Sequence, residues 1–318
     1  MSATVQAPAQ PSFKSEKDDP KQRLKRIARR GLPPFPQTAL DLTKVLGASP
    51  DVQKAGRLIC TDPTLSSQVL RMCNSPMFGL RSRVISIEQA AVLLGAERLR
   101  NLAVTSSMAD FASKALPEAE MNAFWQHSFM AAMLAQFLAK RLEYFEKGHA
   151  YIAGLLHDIG QIPQWMLAIE DRGKTQAASP AGWIDNPRIE CEYFRIDHCE
   201  LGGGMAGFWD FLPSFVDALN NHHTPENAKH DSVLVRIVGA VEFFLLAKHQ
   251  NISSLSEDAL PGGDIQLMER AQTLKQIGEG LCGEIEWPYV EEALENEYTR
   301  ILSLVQSGLK GVLARGDA

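Results

Sequence analysis

Five of the eight histidines, His127, His157, His198, His222 and His223, stand on or beside apolar segments, as do the carboxylates Asp158 and Glu242. His127 closes F-W-Q-H, His157 and Asp158 fall in A-G-L-L-H-D-I-G, and Glu242 sits inside V-G-A-V-E-F-F. An imidazole or carboxylate on an apolar face is costly unless it is paired, hydrogen-bonded or ligated. Taken singly, each histidine reads as a satisfied structural group. Taken together, they offer imidazole nitrogen and carboxylate oxygen, a donor set that suits a divalent Fe, Mn, Ni or Zn ion better than a calcium cage. His157 and Asp158 also fall at a helix C-terminus, where the macrodipole favours a cation. Neighbouring helical positions point about 100° apart, so one ion takes both only by sitting against the helix end. Cys199, beside His198, could add a soft sulfur ligand, but a buried inert thiol is the default reading.

The elements that must position these residues read as helices. Pro36 opens a helix through Leu46 that Gly47 can close. Asp62-Pro63 is a cap followed by proline at the first helical position, starting a helix through Met72 with Leu65, Val69 and Met72 on one face. Ser86 caps the next, with Ile87, Ala90, Ala91 and Leu94 inward and Gly95 at its end. A long apolar helix is expected from about 119 to 144, and another over 150–158, stopped by Gly160. No run alternates with period two, and no Asn-Gly or Asp-Gly turn separates β-branched segments. The chain is therefore expected to be all-α. Residues 172–188 read as a loop. Gly202 to Gly207 matches G-x-G-x-x-G, yet no strand precedes it, so close helix packing explains it better than dinucleotide binding.

Composition bounds the rest. The 318 residues are 45% hydrophobic and 22% charged, ordinary for a globular protein, and the net charge of −6 does not favour nucleic acid or an anionic membrane as partner. Lys21 to Arg30 is basic, but reads as a short amphipathic helix with solvated charges. Five cysteines without a C-x-x-C pair indicate neither a disulfide framework nor a zinc ribbon, which fits a reducing cytoplasm. The first 30 residues carry no apolar run. The stretch Val233 to Ala247 is too short to span a bilayer and contains Arg236 and Glu242.

The ordered set H…HD…H…HH…E resembles the arrangement of the HD superfamily of metal-dependent phosphohydrolases. Further motifs resemble the HDOD family, the HD-related output domains of bacterial signalling proteins. These are L-P-P-F-P (Leu32 to Pro36), D-P-T-L (Asp62 to Leu65), N-S-P-M-F-G (Asn74 to Gly79), L-L-G (Leu93 to Gly95), D-H-C-E-L-G-G (Asp197 to Gly203) and N-H-H (Asn221 to His223). The resemblance implies a multi-helix HDOD fold. It also implies that His127, His157, Asp158 and Glu242 bind one metal, while His198, His222 and His223 serve a second metal or a phosphate. Three departures stand out. Gln161 occupies the place of a lysine common in the cyclic-di-GMP hydrolase branch, no G-Y-P follows His222-His223, and the final acid is Glu242 rather than aspartate.

The expected organisation is a disordered leader over 1–23, an HDOD domain over 24–250, a linker over 251–264 and a C-terminal helical extension over 265–318. Leu267, Ala271, Leu274 and Ile277 give that extension an apolar face expected to pack across the core, near the histidine pocket. The leading functional expectation is a signal-transduction module with a degenerate HD-type metal pocket. It would bind a signalling protein or a small, nucleotide-like ligand, with no residue assigned a catalytic role. The alternative is an active metal-dependent phosphohydrolase acting on a nucleotide or phosphoester.

Overall fold

Asp62 and Ser86 begin their helices as the sequence indicates, each side chain accepting a backbone N–H one turn on: Leu65 N to Asp62 Oδ1 at 3.0 Å and Gln89 N to Ser86 Oγ at 3.1 Å. The computed structural model describes residues 19–32, 34–44, 51–75, 82–172, 187–253, 281 and 287–313. Among them every regular element is helical. In order these are α1 (Pro20–Arg26, running into a π turn, Ile27–Gly31), α2 (Gln37–Lys44), α3 (Val52–Cys60), α4 (Pro63–Cys73), α5 (Ile87–Ala115), α6 (Glu118–Arg141) and α7 (Lys147–Leu156). There follow α8 (Gln161–Arg172), α9 (Pro187–Phe194), α10 (His198–Phe208), α11 (Pro213–Asn221), a 3-10 turn (Pro225–Asn227), α12 (Ser232–Ser253) and α13 (Trp287–Leu313). No described helix is long and apolar enough to cross a membrane.

Gly95 breaks α5. Its φ of 76° lies in the left-handed region, which glycine enters without a Cβ clash, so one helical run ends there and a second carries on to Ala115. The bundle has two parts. α3 and α4 pack on α5, while α6 pairs with α7 across a short turn and supports α12 and α13. Trp125, Leu134, Leu138, Ile152 and Leu245 are fully buried where the second group meets. α1 keeps Leu24 in the core, and Lys21 and Lys25 reach Glu200 on α10. The basic segment is thus an amphipathic helix docked on its own domain.

Of the expected C-terminal extension, Leu267, Ala271, Leu274 and Ile277 lie outside the described residues. α13 does bury an apolar face, Val290, Leu294 and Ile301. It lies against α6 and α12, with Tyr298 edge-on to Phe244 (ring centroids 6.0 Å), Glu295 paired with Lys248, and Arg141 over Tyr289. Most of the expected loop (173–186), residues 1–18 of the expected leader and residues 254–264 of the expected linker also lie outside the described residues; residues 20–23 of that leader are helical in α1 and residues 251–253 of that linker end α12.

Candidate metal centre

Five stretches of chain converge on one buried point. His127 projects from the middle of α6, His157 and Asp158 follow the end of α7, His198 is the first residue of α10, His222 and His223 follow α11, and Glu242 lies midway along α12. His157, Asp158, His198, His222 and Glu242 are completely buried. Their donor atoms form two groups, each with every donor within 4.8 Å of the others: His127, His157, Asp158 and Glu242 in one, and His198, Cys199, His222 and His223 in the other.

In the first group, His127 Nε2 lies 3.2 Å from His157 Nε2, and both nitrogens are 3.0 Å from Glu242 Oε2 and 3.2 Å from Asp158 Oδ2. In the second, His198 Nε2 is 3.2 Å from His222 Nε2, with Cys199 Sγ at 3.4 Å and 3.8 Å from those nitrogens. Asp158 joins the two. While Oδ2 faces the first group, Oδ1 stands 3.4 Å from His198 Nε2 and 3.7 Å from His222 Nε2.

Outer contacts fix which ring nitrogen points inward. His157 Nδ1 is 2.8 Å from the Gly154 carbonyl, and His222 Nδ1 is 3.1 Å from that of Leu219; both contacts require N–H on Nδ1. His198 Nδ1 meets Glu190 at 2.9 Å, and Glu190 also accepts the His198 backbone N–H at 2.7 Å. Each Nε2 is then left to turn a lone pair inward. Two lone pairs 3.2 Å apart repel unless a cation stands between them. Orienting a ligating histidine through its outer nitrogen is the usual support of a metal site.

The same demand shows in the charges. Burial opposes charge on His157, but Asp158 and Glu242 raise it above the ordinary histidine value. Burial likewise opposes charge on His222, yet Cys199 and Asp158 push it up to about 10. Burial would lift Asp158 and Glu242, and neighbouring histidines instead hold both well below the carboxylate range. Both Asp158 oxygens, Glu242 Oε1 and His223 Nε2 are buried yet lack a well-aligned hydrogen bond. Orphaned buried acceptors of this kind ask for an ion. The donor set therefore fits divalent transition metals, with His127, His157, Asp158 and Glu242 for one ion and His198, His222 and His223 for a second that Asp158 Oδ1 faces from the His198–His222 side.

All seven residues singled out in the sequence come together here. Sequence reasoning missed Glu190, which stands in the mixed run R-I-E-C-E-Y-F and not in an apolar one such as singles out Glu242. It also set Cys199 aside as inert, and nothing in the sequence opposes that reading. Of the glycines near His198, Gly202 and Gly203 serve packing, against Gly160 and Asn220, while a Cβ on Gly204 or Gly207 would meet nothing within 4 Å; on the facing stretch of chain, a Cβ on Gly160 would collide with the His198 carbonyl and lie 2.7 Å from Gly202 N. Beside the second group opens a cavity of about 510 Å³, lined by Cys199 and His223 together with Asp197, Asn220, Asn221 and Lys229. Gln161 is buried at the start of α8, its N–H bonded to the Asp158 carbonyl at 2.8 Å.

Comparison with known proteins agrees with this architecture. The chain spans 39% of the length of a curated relative, an uncharacterised protein of Treponema pallidum (strain Nichols), with 23% identity over 211 residues, 63% of this chain. Among solved structures it is similar to an HDOD domain protein of unknown function from Geobacter sulfurreducens (TM-score 0.64, 21% identity, 89% of this chain and 96% of that one). It is similar to a candidate signal transduction protein from Marinobacter aquaeolei VT8 (TM-score 0.68, 18% identity, 95% and 67%). A candidate phosphohydrolase from Shewanella amazonensis SB2B also superposes (TM-score 0.61, 24% identity, 92% and 99%). At these identities the likeness speaks for the fold. The HDOD domain model matches residues 32–225, which takes in four of the five ligand-bearing stretches and more than half the sequence, and the chain belongs to the HDOD domain family.

Proposed function

We propose that this protein is a metal-holding regulatory module of signal transduction, and not a cyclic-di-GMP hydrolase. The observation that carries this reading is the closure of the first donor group. His157, Asp158 and Glu242 have no exposed surface and the His127 side chain is only 10% exposed, so the described residues leave a phosphoester little approach to an ion held there. Gln161 supplies no cation to a phosphate. α13 rests on α6 and α12, the two helices that carry His127 and Glu242. Binding at the centre can thus bias the seating of α13, provided the two seatings hold the ligand with different affinity. A signalling protein or a small anionic ligand would read or set that state.

The test begins with metal content of protein purified without chelators. Hydrogen exchange of α13 then follows, with and without metal. Bound metal and slower exchange in α13 on loading are expected. Equal exchange in both states would remove the regulatory reading.

One observation favours a second reading, an active phosphohydrolase. Asp158 faces both donor groups, and the second borders a cavity carrying Lys229, a layout compatible with two-metal hydrolysis. Metals held there would polarise a phosphoryl oxygen and acidify a water. In that reading Asn220, Asn221 and Lys229 orient the phosphate, and Asp158 sets the spacing of the two groups. Metal-dependent phosphoester turnover in manganese or iron, abolished by Asp158→Ala, would establish it.

A further inference from the structure

We infer that Cys199 is itself a metal ligand, so that the second donor group is a sulfur-containing site for a thiophilic divalent ion such as zinc, unlike the oxygen-rich first group. This rests on the metal-centre reading above.

The distances carry the inference. Zinc bond lengths of about 2.0–2.1 Å to nitrogen and about 2.3 Å to sulfur put tetrahedral ligands about 3.3 Å apart for a nitrogen pair and about 3.6 Å for nitrogen and sulfur. The structure places His198 Nε2 and His222 Nε2 3.2 Å apart, with Cys199 Sγ at 3.4 Å and 3.8 Å. The thiol therefore occupies a third corner around the same point, and His223 completes the group. Two further observations direct it there. Asp158 Oδ1 faces the two imidazole nitrogens with no aligned hydrogen bond, and His223 Nε2 is buried with none. Cys199 is the second residue of α10, and the N-cap Asp197, which accepts the Glu200 backbone N–H at 2.7 Å, holds the turn that carries it. The other described cysteines have no such surroundings. Cys60 and Cys191 are exposed, and Cys73 is packed in the α4 core.

On binding, the Cys199 S–H bond breaks, the sulfur keeps the electron pair and gives it to the ion, and the proton leaves to solvent. No oxidant or reductant is involved. Sulfur also changes selectivity: thiolate favours zinc over manganese or magnesium, while a group of two histidines and two carboxylates suits manganese or iron. The two ions of one centre would then differ.

Full-length protein stripped with a chelator and titrated with cobalt(II) alone tests this. Uptake of two equivalents is expected, one of them producing a thiolate-to-cobalt charge-transfer band in the near ultraviolet. Cys199→Ser should lose the band while the first group still loads, and Cys191→Ser should retain it. In the unsubstituted chain, cobalt should protect Cys199 from alkylation while Cys60 and Cys191 still react, read by peptide mass spectrometry. That measurement decides the matter even if Cys199→Ser does not fold. Absence of any cobalt uptake would bring down the metal-centre reading and this ligand with it. Uptake without the band, a band that survives Cys199→Ser, or alkylation of Cys199 unaffected by cobalt would overturn the cysteine assignment alone.

Discussion

The two donor groups lie side by side and share Asp158, yet they differ in charge and in access. The first sets two carboxylates among two histidines and is almost wholly buried among the described residues; the second sets three histidines and a thiol and borders a cavity. A divalent ion in the first is balanced by Asp158 and Glu242, which lets it remain in a low-dielectric interior. In the second, the nearest carboxylate is shared and Glu190 is one residue removed, behind His198. An ion there keeps positive charge that a solvated anion can satisfy. One group is built to be closed and the other to be approached.

Removing the shared residue should collapse the distinction. Asp158→Asn is expected to lose both ions and to lower stability by about 3–5 kcal/mol, since it unbalances a buried charged network. Metal analysis and urea unfolding check this, and a variant that keeps one full equivalent would show the groups to be independent. Next in size is a selective pair. Glu190→Gln should weaken only the second group, by about 10–100-fold, because it removes the acceptor that orients His198. Glu242→Gln should weaken only the first. Competition with a chromophoric chelator reads both, and crossed effects would dissolve the comparison.

Gly160→Ala probes spacing without replacing a ligand. The new methyl meets the His198 carbonyl, and overpacking of this kind costs about 1–3 kcal/mol. Thermal unfolding should show the loss, with the second group losing more affinity than the first. An unchanged melting temperature would mean the backbones separate freely.

The smallest effects concern pH in the metal-free protein. His222 is raised from 6.5 to about 10, so its contribution to stability is complete below pH 6.5 and is lost as pH rises toward 10. His149 lies outside the centre. Burial and the nearby Arg100 lower it from 6.5 to about 4, so stability is lost as pH falls from 6.5 toward 4. Urea titrations of His222→Gln and His149→Gln should flatten opposite limbs of the stability profile. If both flatten the same limb, the electrostatic contrast is wrong.

Much of this was legible in the residue pattern. Asp62 and Ser86 mark helix starts by side-chain chemistry, and Glu242 betrays itself as an acid on an apolar face. The end of α6 came at Arg141 rather than 144, because Glu143 turns back with a φ of 52°, a conformation that periodicity does not report. Gly95 ends one helical run, and the helical spacing of Leu99, Leu102, Ala103 and Ser106 marks the second, whose buried face they form. Glu190 and Cys199 were hidden for another reason. Their roles depend on which side chains stand across from them, and those partners are brought together only by the packing of α9, α10 and α11.

The contact between Gly160 and the His198 carbonyl carries a consequence for inheritance. The separation of the two donor groups is set where main chain meets main chain, not by the side chains that would hold the ions. Descendants of this fold can exchange a histidine, an acid or a cysteine, and so change which ion is held and what reacts to it, without moving the places where ions sit.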